Sequence, residues 1–180
     1  TEEIKKAGAH SPDVILLPSD ILLPPSAQSL RRQGFMLDLC RQELSRLAED
    51  LRELPSLLFV GLPVSLHGVT VSAMAALRQG ELLGFVLPPS VPEGPLPEGF
   101  LPASAVFEAG GARLRVLRGC DAGKALQYGS LAGDCDCLLL PCYEPARVGS
   151  ADRAEQALSV LSRELGCAAV LCCGAGSDSS

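Results

Sequence analysis

With 180 residues, 47% of them hydrophobic, the chain is long enough to bury one real core, but aromatics make up only 4% and tryptophan is absent, so Leu, Val and Ala must fill it. The formal charge of −6, with basic residues scattered and doubled only at Lys5-Lys6 and Arg31-Arg32, argues against a nucleic-acid surface, which needs clustered Lys and Arg. No apolar run reaches the ~20 residues of a membrane-spanning helix, and Thr1 to His10 is charged where a signal peptide would be apolar, so a reduced, cytoplasmic protein is expected.

Glu2 to Ala9 has the character of a helix end, closed by Gly8 or Pro12. Because the chain opens as if mid-element, it is expected to be a piece of a longer product, one domain over residues 1–180. Asp13 to Pro18 is a continuous apolar run, the mark of a strand covered on both faces. Ser29 to Leu54 carries the clearest helical period: Leu30, Leu37, Cys40, Leu44, Leu47, Leu51 and Leu54 recur at helical spacing, with Arg, Glu and Asp between them. Pro55 ends that stretch, and Gly34 is a point where it could split into loop and helix. Leu57 to Val64 is the next expected strand.

Val69 to Leu77 and Glu81 to Leu87 flank Arg78-Gln79-Gly80 as a hairpin. Ser90 to Pro102, with four prolines and two glycines, is expected to be an extended surface loop. A second hairpin, Val106 to Glu108 and Ala112 to Leu117, turns at Gly110-Gly111. A short helix is expected over Gly123 to Leu131, then a strand over Cys137 to Cys142. Ser150 is placed to cap a helix across Ala151 to Leu165, with Ala154, Ala157, Leu158, Leu161 and Leu165 on its apolar face and Gly166 just past its end. Ala168 to Cys173 is the last strand. The order predicts mixed sheets with helices on their outer faces.

Eight cysteines do not form a disulfide framework in this context. Cys137, Cys142, Cys167, Cys172 and Cys173 sit in apolar runs and are expected to behave as small hydrophobes. Cys135-Asp136-Cys137 lacks a second pair at zinc spacing, so no metal site is expected. His10, beside Ser11-Pro12, and His67, beside Gly68, look like turn residues rather than partners of a catalytic cysteine. Gly174-Ala175-Gly176-Ser177 is expected to be a structural turn, because no helix follows to bring a dipole to a phosphate.

Three expected strands deliver a residue at their carboxyl ends, where α/β sheets place their chemistry: Val14-Ile15-Leu16-Leu17-Pro18-Ser19, Gly84-Phe85-Val86-Leu87-Pro88-Pro89 and Leu114-Arg115-Val116-Leu117-Arg118-Gly119-Cys120-Asp121. In order and spacing they resemble the strands that carry the Glu, Lys and Cys of the nitrilase (carbon–nitrogen hydrolase) superfamily, and most closely the glutaminase domain of glutamine-dependent NAD synthetases. Ile4-Lys5-Lys6-Ala7 and Asp13 to Pro18 resemble that domain's helix and its A-D-V-I-L-F-P-E strand. Val60-Gly61-Leu62-Pro63 is similar to its G-L-P. Gly80-Glu81-Leu82-Leu83-Gly84 resembles its G-K-I-L-G, Leu131-Ala132-Gly133-Asp134 its L-A-G-A-D, and Gly174 to Ser179 its G-P-G-E-S-T. The likeness runs along nearly the whole chain.

The resemblance implies a nitrilase-like α-β-β-α sandwich of mixed sheets, incomplete at both ends. It also implies a reaction in which a cysteine attacks the glutamine side-chain amide, a glutamate moves the proton, and a lysine faces the developing oxyanion. Carried over position by position, the nucleophile falls on Cys120, the base on Ser19 and the lysine on Pro88. Serine is no base near neutral pH, and proline has neither charge nor backbone donor. Arg118-Gly119 also departs from the superfamily's Glu-Ile. Cys120 therefore has two readings, a nucleophile or an inert cysteine without the lowered pKa that reactivity needs. Asp20 and Asp121 are neighbours that could substitute for the base, although an extended strand through Ser19 would send Asp20 to the opposite face.

Three functions follow. In the first, a glutaminase-derived domain without most of its catalytic set serves as a structural and assembly domain beside a synthetase domain or subunit, in a homo-oligomer and with no cofactor of its own. In the second, it is an active amidase using Cys120 and a substitute base. In the third, it is a stand-alone interaction module. Nucleic-acid and membrane partners are not expected in any of them.

Overall fold

The computed structural model describes residues 2–23, 25–91, 94–117, 134–142 and 150–173. Helix α1 spans Glu2–Gly8 and strand β1 spans Val14–Leu16. A 3₁₀ segment, Pro25–Leu30, precedes helix α2, Gly34–Asp50, so the long helical period does divide at Gly34. Strands β2 (Leu57–Leu66), β3 (Val69–Arg78) and β4 (Glu81–Val86) follow, then the two-residue β5, Phe100–Leu101, inside the proline-rich stretch expected to be loop. Strands β6 (Val106–Ala109), β7 (Ala112–Val116) and β8 (Cys137–Cys142), helix α3 (Ser150–Leu165) and strand β9 (Ala168–Cys173) complete the described elements. The helix expected over Gly123 to Leu131 and the turn at Gly174 lie outside the described residues.

Two sheets result, ordered β1-β2-β3-β4-β5 and β6-β7-β8-β9. In the first, β1 and β2 are parallel, β2, β3 and β4 run as an antiparallel meander, and β5 adds parallel to β4. In the second, β6 and β7 form a hairpin, while β7, β8 and β9 are parallel. The hairpin turns on Gly110 and Gly111, both at positive φ (59° and 76°), the two-residue turn whose twist matches its strands.

Side-chain alternation sorts the layers. Along β2, Leu58, Val60, Leu62 and Val64 point to one side, where they pack with Ile4 of α1 and Met36, Cys40, Leu44 and Leu47 of α2. Leu57 and Phe59 point the other way and meet Leu114, Val116 and Leu139 of the second sheet. The ring of Phe59 meets that of Phe107 edge-on, with centroids 5.1 Å apart. On the far side of the second sheet, Leu117, Leu138 and Leu140 pack against Leu161 of α3. The layers are helix, sheet, sheet, helix, the nitrilase-like α-β-β-α arrangement of mixed sheets. A strand buried on both faces has no polar side to show, which is why β2 reads as an unbroken apolar run.

Candidate functional site

The register brings the singled-out positions of the first sheet to one end. Leu16 lies opposite Phe59, Gly61 opposite Met74, and Met74 opposite Val86. Ser19 on leaving β1, Gly61 in β2, Ser72 in β3 and Pro88 beyond β4 thus share that edge. In the second sheet the Leu117 amide donates to the Leu139 carbonyl (2.9 Å), and β8 and β9 run alongside to end at Cys142 and Cys173.

Contacts between the sheets place both carboxyl ends together. Ser19, only 3% exposed, donates its hydroxyl to the Pro141 carbonyl of β8 at 2.8 Å. Cys172 of β9 directs its thiol to the Leu16 carbonyl at 3.4 Å. The close approach of chain segments here depends on Gly61: a Cβ on it would lie 2.5 Å from the Asp20 nitrogen, 2.7 Å from the Pro18 oxygen and 2.7 Å from the Ser19 Cα.

Asp20 is placed differently from the strand-alternation argument. Strand β1 ends at Leu16, and Asp20 sits in a turn at φ 53°, so the two-residue period of a strand no longer governs it. Its side chain is buried, and Oδ2 accepts a hydrogen bond from Ser72 Oγ at 3.2 Å. Ser72 in turn accepts from the guanidinium of Arg31 at 3.3 Å. Ser72 alternates with Met74 and Ala76, which face the second sheet, so this carboxylate lies on the inner face at the same end as Ser19.

Pro88 is buried. It lines a cavity of about 390 Å³ with Leu87, Pro89, Val91, Phe100 and Pro102, apolar walls where a lysine ammonium would lose its hydration. Cys120 and Asp121 lie outside the described residues, three and four positions beyond Leu117. The two histidines are in turns: His10 follows α1, and His67 (φ 48°) joins β2 to β3.

Burial raises the thiols of Cys40, Cys135, Cys137, Cys167 and Cys172 above their ordinary range. Cys40 is pushed up first by desolvation and then by the nearby Asp20 charge, and Cys172 by desolvation and then by Cys173. Cys135 is pushed up to about 11, chiefly by burial and then by Cys167. These are thiols of low nucleophilicity. Cys173 departs from the expected burial, being exposed at the end of β9. Among the described residues no group of three or more His, Cys, Asp or Glu could hold a metal ion, and no described helix is long and apolar enough to cross a membrane.

Sequence reasoning missed two features. Arg31 and Ser72 gave no signal, because their link to Asp20 depends on a left-handed turn. The juxtaposition of Cys142 and Cys173 was readable only once β8 and β9 were known to pair in register.

No family model matches the sequence, and no curated protein does. Solved structures do match. A glutamine-dependent NAD+ synthetase from Acinetobacter baumannii superposes with a TM-score of 0.76 at 22% identity, covering 98% of this chain and 35% of that one. A glutamine-dependent NAD(+) synthetase from Cytophaga hutchinsonii gives 0.71 at 15% identity, over 96% of this chain and 31% of that one. An amidase of the nitrilase superfamily from Nesterenkonia gives 0.69 at 18% identity, over 96% and 68%. The chain thus has the fold of nitrilase-superfamily amidases and of part of the NAD synthetases, and it spans about a third of the length of the two synthetases.

Proposed function

We propose that this chain is a glutaminase-type domain of the nitrilase superfamily, of the kind found in glutamine-dependent NAD synthetase, that has lost glutamine hydrolysis and serves as a structural and assembly domain. The observation that carries the reading is Ser19. The superfamily glutamate position holds a hydroxyl that is buried and already engaged as donor to the Pro141 carbonyl. An oxygen so held takes no proton from a thiol near neutral pH. The buried Pro88 at the lysine position supports the same conclusion, since it offers an oxyanion neither charge nor backbone N–H. Losing either partner costs a few orders of magnitude in rate, and losing both leaves negligible turnover. In this reading the domain packs in the cytoplasm against a synthetase domain or subunit supplied with free ammonia, within a homo-oligomer, and needs no cofactor of its own.

Asp20 favours a second reading. Its buried carboxylate stands on the inner face at the end where Ser19 lies, so an amidase with Cys120 as nucleophile and Asp20 as base is the competing mechanism. Ammonia release from glutamine by the longest natural form, beside its Cys120→Ala and Asp20→Asn variants, decides between them. No release above background from any of the three, with the parent folded, is the expected outcome. Release that disappears in both variants would overturn the loss of hydrolysis and assign the base to Asp20.

A further inference from the structure

Strands β8 and β9 are parallel neighbours, and their last residues, Cys142 and Cys173, face each other in register. By alternation both side chains lie on the α3 side of the sheet, with Leu138 and Leu140 in β8 and Ala169 and Leu171 in β9. Cys172 points the opposite way, to the Leu16 carbonyl. The Cys142 and Cys173 sulfurs are 2.8 Å apart, against about 2.05 Å for a formed disulfide. Adjacent strands stand about 4.8 Å apart, within the roughly 4.4–6.8 Å window of Cα separations that a disulfide spans. Little motion of the backbone separates the dithiol from the bond.

We propose that Cys142 and Cys173 form a redox-active dithiol, a modification site that a small disulfide such as oxidised glutathione converts to an intramolecular disulfide across the carboxyl ends of β8 and β9. Cys173 is the exposed member and the point of entry. Its thiol loses a proton to solvent and the thiolate attacks one sulfur of the small disulfide, forming a mixed disulfide and expelling the first thiolate. Cys142 then loses its proton and attacks the Cys173 sulfur, forming the intramolecular bond and expelling the second. The pair gives up two electrons and two protons, and the small disulfide is reduced to two thiols. The site is independent of any glutamine chemistry. It is nevertheless adjacent to the candidate site, because Cys142 follows Pro141, whose carbonyl holds Ser19.

The test uses the whole chain, fully reduced and then exposed to excess oxidised glutathione, quenched with an alkylating agent and mapped by fragmentation mass spectrometry. The expected result is a Cys142–Cys173 cross-link with the loss of two hydrogens and two fewer alkylated thiols. Cys142→Ser should stop at a stable glutathione adduct on Cys173, and Cys172→Ser should cross-link like the parent. Retention of both thiols in the parent, or a cross-link that joins either cysteine to a different partner, overturns the proposal. Since the deciding measurement is made on the parent chain, a variant that fails to fold does not spare it.

Discussion

Replacing Gly61 by alanine tests whether the turn through Pro18, Ser19 and Asp20 is held by close packing on β2. The added methyl meets only backbone atoms, which cannot swing aside as a side chain would. To bring the nearest contact from 2.5 Å to the 3.4 Å of ordinary packing, the turn must retreat by about 0.9 Å. A shift of that size along the 2.8 Å contact between Ser19 Oγ and the Pro141 oxygen breaks hydrogen-bond geometry in either direction, by stretching the contact or by driving the two atoms together. Overpacking of this kind costs about 1–3 kcal/mol, and the buried hydrogen bond adds about 1 kcal/mol. A total near 3 kcal/mol lowers the melting temperature of a domain this size by about 6–12 °C. Calorimetry or thermal circular dichroism reads this directly, with Gly34→Ala as control. A Cβ at Gly34, in the first turn of α2, meets nothing within 4 Å, so this variant should be neutral or stabilised by up to ~1 kcal/mol. A Gly61→Ala protein melting within 2 °C (about 1 kcal/mol or less) of the parent would refute the packing argument.

Ser19→Ala should cost about 1–2 kcal/mol in urea unfolding, because it removes a buried hydrogen bond to the Pro141 carbonyl. A cost near zero would mean that this hydrogen bond does not contribute to stability. A double-mutant cycle on Phe59 and Phe107, using leucine at each, should show a coupling of about 0.5–1.5 kcal/mol from their edge-on contact across the two sheets. Additive losses would deny the contact. The Cys135 thiol, ordinarily near 9.0 and raised to about 11 by burial, keeps its proton in the folded protein where the unfolded chain has lost it. Its contribution to stability is intact below pH 9 and is lost between pH 9 and 11, an effect of about 2–3 kcal/mol. Unfolding free energies at pH 8 and 10.5 should therefore fall more steeply for the parent than for Cys135→Ser, and equal slopes would contradict the burial.

The sequence announced most of the architecture because local signals and tertiary demands agree in it. Strands β8 and β9 were legible to the residue, since each is an apolar run bounded by turn or helix signals. The β6–β7 hairpin was legible from two glycines that can occupy positive φ. Strand β5 was not: Phe100 and Leu101 pair with β4 through tertiary placement alone, inside a stretch whose prolines argue for loop. The site was legible in part. Ser19 and Pro88 were singled out by position, and the register brings these two positions to a common end, while Cys120 lies outside the described residues. Asp20 was discounted by a strand period that stops at Leu16, because a single left-handed residue changes a side chain's direction without marking composition. The cysteines show the same limit. Cys172 and Cys173 look alike in an apolar run, but the two-residue period sends one against Leu16 and the other toward Cys142.

Under the proposed function, loss of a catalytic set need not weaken such a sandwich, and Ser19 and Pro88 give the physical reason. A glutamate and a lysine brought together in a buried site must each be desolvated, and their attraction often fails to repay that cost. Ser19 removes the charge from its position and keeps one buried hydrogen bond, to the Pro141 carbonyl. Pro88 removes the other charge and the ladder donor, and contributes apolar surface to a cavity already walled by Leu87, Pro89, Val91 and Phe100. On that reading both positions would trade chemistry for neutral packing at strand ends, where active sites ordinarily store instability. The cores between the sheets and beneath the helices do not involve either position. On the proposed reading, a chain kept for its surfaces rather than its turnover would retain those cores and give up charge at those two positions.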